Sequence, residues 1–186
     1  LKVFIVIGLS TAALVSCNQS AKSTSDQDNK DSTKILKVNK VVLKDDNINA
    51  AYKDYTSLKD ALACSNATGA QKAASSLSNS LKSIQGCQNT AGIADRIARS
   101  AELEKQRADF TLLSADFIPL MKHADVQQGS LYVEFCPMAN SRKGGYWIAS
   151  AKEIKNPYYG DAMLNCGEVQ DSITTKSAMP KTQNSL

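Results

Sequence analysis

The stretch Gln127-Gln128-Gly129-Ser130-Leu131-Tyr132-Val133-Glu134-Phe135-Cys136-Pro137-Met138 is where the chain changes texture. Leu131 to Phe135 is aromatic and β-branched with partial alternation, which reads as a strand. Tyr146-Trp147-Ile148 is a second short strand, and Asn140-Ser141-Arg142-Lys143-Gly144-Gly145 between them is turn chemistry. Asn156-Pro157-Tyr158-Tyr159-Gly160 forms another turn, because Pro157 pushes Asn156 out of the helical region.

Upstream of that stretch the apolar residues recur at helical steps instead. Ile48, Ala51, Tyr52, Tyr55, Leu58 and Leu62 keep to intervals of three and four, one face of a helix. Ser65-Asn66-Ala67-Thr68-Gly69 interrupts them, and Ala70, Ala73, Ala74, Leu77, Leu81 and Ile84 begin a second stripe that stops before Gly86. A third, longer segment puts Ile93, Ile97, Ala101, Ala108 and Leu112 on one stripe, with Phe110, Leu113, Phe117 and Leu120 beside it. Pro119 predicts a kink or a short final turn before His123. The expected fold class is α+β: a three-helix, Ala-rich bundle followed by a small β-hairpin and loop unit. The single globular domain is expected over 35–173, helical over 45–122, with a Cys/Met unit over 130–170 and a frayed polar tail over 174–186.

The N-terminus reads as an address. One Lys, an apolar run from Val3 to Leu9 and a small-residue exit describe a secretory signal over 1–16, too short to span a bilayer. Leu14-Val15-Ser16-Cys17 resembles the bacterial lipobox, which implies a lipidated Cys17. Residues 18–34 contain one Ala and no larger apolar side chain, so a disordered tether over 17–34 is expected. The expected location is the periplasmic side of a bacterial membrane, anchored through Cys17.

The composition excludes more than it suggests. The chain has 186 residues and a net charge of +4 with its basic residues scattered, so no nucleic-acid partner is expected. Its single histidine, His123, removes zinc sites built on several imidazoles. No P-loop or dinucleotide fingerprint occurs. What remains is sulfur, with five Cys and four Met.

Cys136-Pro137-Met138 lies at a strand end, where residues two apart face one side about 7 Å apart. Met163-Leu164-Asn165-Cys166 fits a helical turn, where positions three apart have Cβ atoms about 5 to 6 Å apart. Brought together, Cys136, Met138, Met163 and Cys166 would make a two-thiolate, two-thioether site suited to Cu(I) or a similar soft ion, with His123 as an optional further ligand. Zinc fits less well, since it rarely takes thioether. Two other readings stay open: a Cys136–Cys166 disulfide closing a 30-residue loop, and plain core packing. Cys64 and Cys87, at opposite ends of the second helix, are expected to lie too far apart to be bridged. An enzyme is not expected, because a Cys136/His123 pair would lack an oxyanion donor at Pro137.

Several segments resemble an uncharacterised domain family of bacterial envelope proteins. They are Leu131 to Ala139, Gly144 and Trp147, Glu153 to Gly160, and Met163 to Val169, together with Tyr52, Tyr55, Leu58, Ala61, Leu62, Gln106, Arg107, Phe110, Leu113 and Ser114. That family occurs alone in lipoproteins and fused to adaptors of copper/silver efflux pumps. The resemblance implies a lipid-anchored periplasmic protein that binds Cu(I) or Ag(I) for heavy-metal handling, with an efflux system as partner. In this reading Trp147, Tyr158 and Tyr159 form an apolar wall around the metal. The rival expectation is a disulfide-stapled envelope interaction module without metal.

Overall fold

The computed structural model describes residues 40–175. The signal, Cys17 and tether, and all of the tail beyond 175, lie outside the described residues. Four helices come first after a short strand: β1 (Val42–Leu43), α1 (Asp46–Ala63), α2 (Ala67–Lys82), α3 (Gln88–Arg99) and α4 (Leu103–His123). Then follow β2 (Val126–Gln128), β3 (Ser130–Cys136), β4 (Gly145–Ala149), a single 3₁₀ turn at Gly160–Ala162, and β5 (Glu168–Thr174).

The first two helices begin where the side chains can cap them. Asp45 accepts from the N–H groups of Asn47 and Ile48 at 2.9 and 3.0 Å, and Asn66 accepts from Gly69 N–H at 2.8 Å. These bonds satisfy donors that a helix start otherwise leaves open. The second cap shortens the α1–α2 connection: Ala67 to Gly69, expected to interrupt the helices, is already the first turn of α2. The apolar stripes of α1 and α2 bury as the spacing indicates, with Tyr55, Leu58, Leu62, Ala70, Ala74, Leu77 and Leu81 fully buried.

The expected third helix is two. Ser100 is extended (φ −92°, ψ 129°), which ends α3, and α4 starts afresh at Leu103. The break resets the helical phase. The continuous stripe through Ala101, Ala108 and Leu112 therefore does not exist: all three are exposed, while α4 buries Phe110, Leu113 and Phe117 of the neighbouring expected stripe, together with Met121, and leaves Leu120 half-buried. Gln106 holds the break. Its side chain is fully buried, and Nε2 donates to Ser100 C=O at 2.7 Å and to Ala67 C=O at 3.0 Å. Gln106→Ala strips both carbonyls of a buried donor and is expected to cost about 2 kcal/mol, read as a shift of the urea midpoint at unchanged m value. A loss below about 0.5 kcal/mol would mean that water replaces the amide there. Pro119 does not end α4, which continues to His123.

Among the described residues, two small antiparallel sheets complete the fold. β1 pairs with β2, and a three-stranded sheet has the order β4-β3-β5. The expected hairpin is present as β3–β4, with Glu134 opposite Trp147 and Cys136 opposite Gly145. β4 is an edge strand packed against α4, and α1 reaches it through one side chain: Tyr55 Oη accepts from Ile148 N–H at 3.2 Å and shares a 2.8 Å hydrogen bond with Ser114 Oγ. The Tyr55 ring stacks on Phe117 of α4 at 4.3 Å, so one side chain joins two helices to the sheet. β1, β2 and β5 were not expected from the sequence. β5 is exposed along nearly all its length; backbone pairing to β3 holds it, with Ile173 half-buried against the core and Asp171 paired to Lys122 at 2.8 Å.

Candidate functional site

Cys136 is the last residue of β3 and is fully buried. Cys166 ends a turn closed by its N–H donating to Met163 C=O at 3.0 Å. The expected helical turn at Met163–Cys166 is thus a tight turn, since Met163 is not helical (φ −149°, ψ 49°). The two segments meet. Cys136 Sγ and Cys166 Sγ lie 2.8 Å apart, Cys136 fully buried and Cys166 half-buried. Met138, two residues past Cys136, is half-buried, and its backbone N–H faces the Cys166 thiol. The hydrogen bond with Cys136 is the largest influence on the Cys166 thiol and raises its pKa, with burial adding to it. The backbones of both Cys/Met pairs therefore converge on Cys166.

The close approach of these segments depends on missing side chains. A Cβ at Gly167 would lie 2.9 Å from Phe135 O and 2.9 Å from Trp147 Cη2, and Gly167 also has a positive φ of 144°. A Cβ at Gly145 would meet the Tyr158 ring at 2.6 Å. Only glycine lets the Cys166 turn lie against the end of the hairpin.

The Asn156–Gly160 turn does more than change chain direction. Asn156 is fully buried; its N–H donates to Leu164 C=O at 2.8 Å and its Nδ2 to Cys166 C=O at 3.0 Å, while its Oδ1 accepts from Tyr158 N–H at 2.8 Å. Tyr159 Oη donates to Met138 C=O at 2.6 Å, and Tyr158 Oη to Tyr146 C=O at 2.7 Å. Trp147 packs edge-on to Tyr158 with ring centroids 5.9 Å apart. The two tyrosines are thus hydrogen-bond donors to the backbone of the site as well as apolar cover. Sequence reasoning missed this role because a turn motif does not reveal which carbonyls it will meet.

Glu134 was also missed. It sits two residues before Cys136 on β3, fully buried, and neither carboxylate oxygen has a partner at hydrogen-bonding distance. Trp147 Nε1 opposite it is unpartnered too, so the indole acts on Glu134 only as a nearby dipole. Burial raises the carboxyl to a pKa of about 7, with Lys59 and Trp147 opposing. A lone acid in a strand of apolar residues was the available signal.

His123 does not join the thiols. Its Nδ1 is 2.8 Å from Pro119 C=O on its own helix, and the ring is exposed. Among the described residues no three His, Cys, Asp or Glu side chains gather as a metal site. Cys64 ends α1 and Cys87 precedes α3, so the 16 residues of α2, about 24 Å, lie between them. Among the described residues, no helix is long and apolar enough to cross a membrane.

A comparison with known families finds one whose description is "Protein of unknown function (DUF3347)", similar to residues 51–129. That span runs from α1 through β2 and stops before both Cys136 and Cys166. No curated protein and no solved structure matches. The chain is therefore similar to a domain of unknown function across its helical part, and the sulfur-bearing unit lies outside that similarity.

Proposed function

We infer that this chain is a soft-metal-binding protein that takes Cu(I) or Ag(I) at Cys136 and Cys166, with Met138 and Met163 as thioether ligands. The observation that carries this is the meeting of the two thiols, Cys136 and Cys166, 30 residues apart in sequence, at an Sγ–Sγ distance of 2.8 Å. The donor set fits a soft ion. Among the described residues no third Cys, His or carboxylate joins the two thiols, so zinc lacks the four ligands it normally takes, whereas thiolate and thioether together suit Cu(I). Two thiolates sharing a tetrahedral ion stand about 3.8 Å apart, for metal–sulfur bonds of about 2.3 Å. Metal entry therefore opens the pair by about 1 Å, and the Cys166 turn is the half-exposed side that can give way. Binding, not catalysis, is the activity proposed.

The wider setting belongs to the same proposal. The lipobox-like Leu14-Val15-Ser16-Cys17 supports a lipid anchor at Cys17 on the periplasmic side of a bacterial membrane, and a heavy-metal efflux system is the proposed recipient of the ion.

A second reading is favoured by the shortness of the 2.8 Å contact: a Cys136–Cys166 disulfide stapling an interaction module without metal. Anaerobic titration of the reduced protein with Cu(I) against a colorimetric competitor, with Zn(II) alongside, separates the two. One tight Cu(I) equivalent, weakened at least tenfold in the Met138→Leu, Met163→Leu double variant, is the expected result. No Cu(I) binding, with two thiols unreactive in the unreduced protein, would replace the metal reading by the staple.

A further inference from the structure

We propose that Asn156 and Tyr159 are positioning residues: their hydrogen bonds hold the Cys136–Met138 and Met163–Cys166 segments in register so that the two thiols meet. The assignment deepens the soft-metal reading and rests on it for its ligand.

The two segments have no covalent reason to face each other, since β3 ends at Cys136 and the Cys166 turn arrives 30 residues later. The turn between them touches both. On one side Tyr159 Oη donates to Met138 C=O at 2.6 Å, fixing the chain just after Cys136. On the other, Asn156 donates through its backbone N–H to Leu164 C=O and through Nδ2 to Cys166 C=O, fixing both ends of the stretch that presents the second thiol. Asn156 Oδ1 accepts from Tyr158 N–H, so the amide's orientation is set within the turn itself. Each of these bonds engages at least one backbone group of the site, and a backbone group left unpaired in a buried place is costly.

The turn is in turn fixed to the helices. Arg107 Nε donates to Pro157 C=O at 3.0 Å, and its Nη2 donates to Leu62 C=O at 2.9 Å and to Ser65 Oγ at 3.1 Å. A planar guanidinium with several donors can bridge three segments in one geometry, which lysine cannot. Through Arg107 the helical part, the portion with similarity to the family of unknown function, is mechanically tied to the sulfur unit beyond it.

The test measures thiol proximity directly, without metal. Whole protein is equilibrated with oxidised and reduced dithiothreitol. The two thiols give up two protons and two electrons as one S–S bond forms between Cys136 and Cys166, and oxidised dithiothreitol takes them up as its own S–S bond opens to the dithiol. The equilibrium constant gives the effective concentration of one thiol at the other. Tyr159→Phe removes a single hydroxyl and is expected to lower that concentration roughly three- to tenfold while circular dichroism shows a folded chain. Asn156→Asp keeps the acceptor for Tyr158 N–H, removes the donor to Cys166 C=O, and is expected to act in the same direction. Tyr132→Phe, a matched hydroxyl deletion on β3 away from the Asn156–Gly160 turn, is expected to leave the value unchanged. Cu(I) affinity of the reduced Tyr159→Phe variant should fall by a similar factor. A folded Tyr159→Phe variant with the wild-type effective concentration overturns the assignment. Absence of Cu(I) binding by the wild type would overturn the metal reading alone, because the dithiothreitol equilibrium still reports on positioning.

Discussion

The Cys136→Ser, Cys166→Ser double variant is expected to lose tight Cu(I) binding, with affinity reduced by more than about 100-fold. Disturbing an outer partner of a metal site costs about 10- to 100-fold, and removing both thiolates takes away the two thiols that meet among the described residues. Hydroxyl oxygen is a hard donor and does not replace them. The same variant separates the two readings through stability. If the pair is a disulfide, closing a 30-residue loop contributes about 3 to 4 kcal/mol, so the unreduced wild type should exceed the variant by that amount and lose the margin on reduction. If the pair is a dithiol metal site, the margin appears only when Cu(I) is added, and it grows with free ion concentration as binding to the folded state requires. Denaturant unfolding of wild type and variant, with and without reductant and with and without Cu(I), gives both numbers. A double variant that retains the wild-type Cu(I) affinity would falsify the assignment of these two ligands.

Glu134 gives the second large effect, a stability that declines as pH rises. Its carboxyl has a pKa of about 7 in the folded chain, against 4.5 for the ordinary group, because burial disfavours its charged form. A group whose folded pKa is raised binds more protons in the native state than in the unfolded one. Its contribution is therefore fully present below pH 4.5 and is lost as pH climbs through about 7. The loss amounts to about 3 kcal/mol between those limits. Glu134→Gln keeps the shape and removes the charge. It should match the wild type near pH 4.5 and be the more stable of the two at pH 8. The comparison is made on reduced, metal-free protein by urea unfolding at several pH values. Parallel pH profiles for wild type and variant would show that Glu134 is solvated or paired in solution.

Why so much of the helical part was legible follows from the locality of its signals. The three-and-four spacing of Tyr52, Tyr55, Leu58 and Leu62 survives because no break intervenes, whereas the caps at Asp45 and Asn66 emerged only in the structure. The spacing failed at Ser100 to Glu102. That break depends on Gln106 reaching Ala67 C=O, a contact 39 residues away that no local pattern encodes. β5 was illegible for a related reason: Glu168-Val169-Gln170-Asp171-Ser172-Ile173-Thr174 has one half-buried apolar residue, and its pairing with β3 comes from backbone groups every residue possesses.

The candidate site divides in the same way. The residue types alone picked out Cys136, Met138, Met163 and Cys166 and the soft chemistry they share, because donor softness is a property of the atoms. The strand placement of Cys136 was also legible, as alternation and Pro137 are local. Only the tertiary structure decided that the two thiols meet at 2.8 Å, that His123 stays apart on its own helix, and that Glu134 is left without a partner. The physical reason is that those outcomes rest on contacts between segments, among them the Asn156 and Tyr159 hydrogen bonds and the Gly145 and Gly167 close approaches beside the thiols, and sequence spacing carries no information about such distances in space.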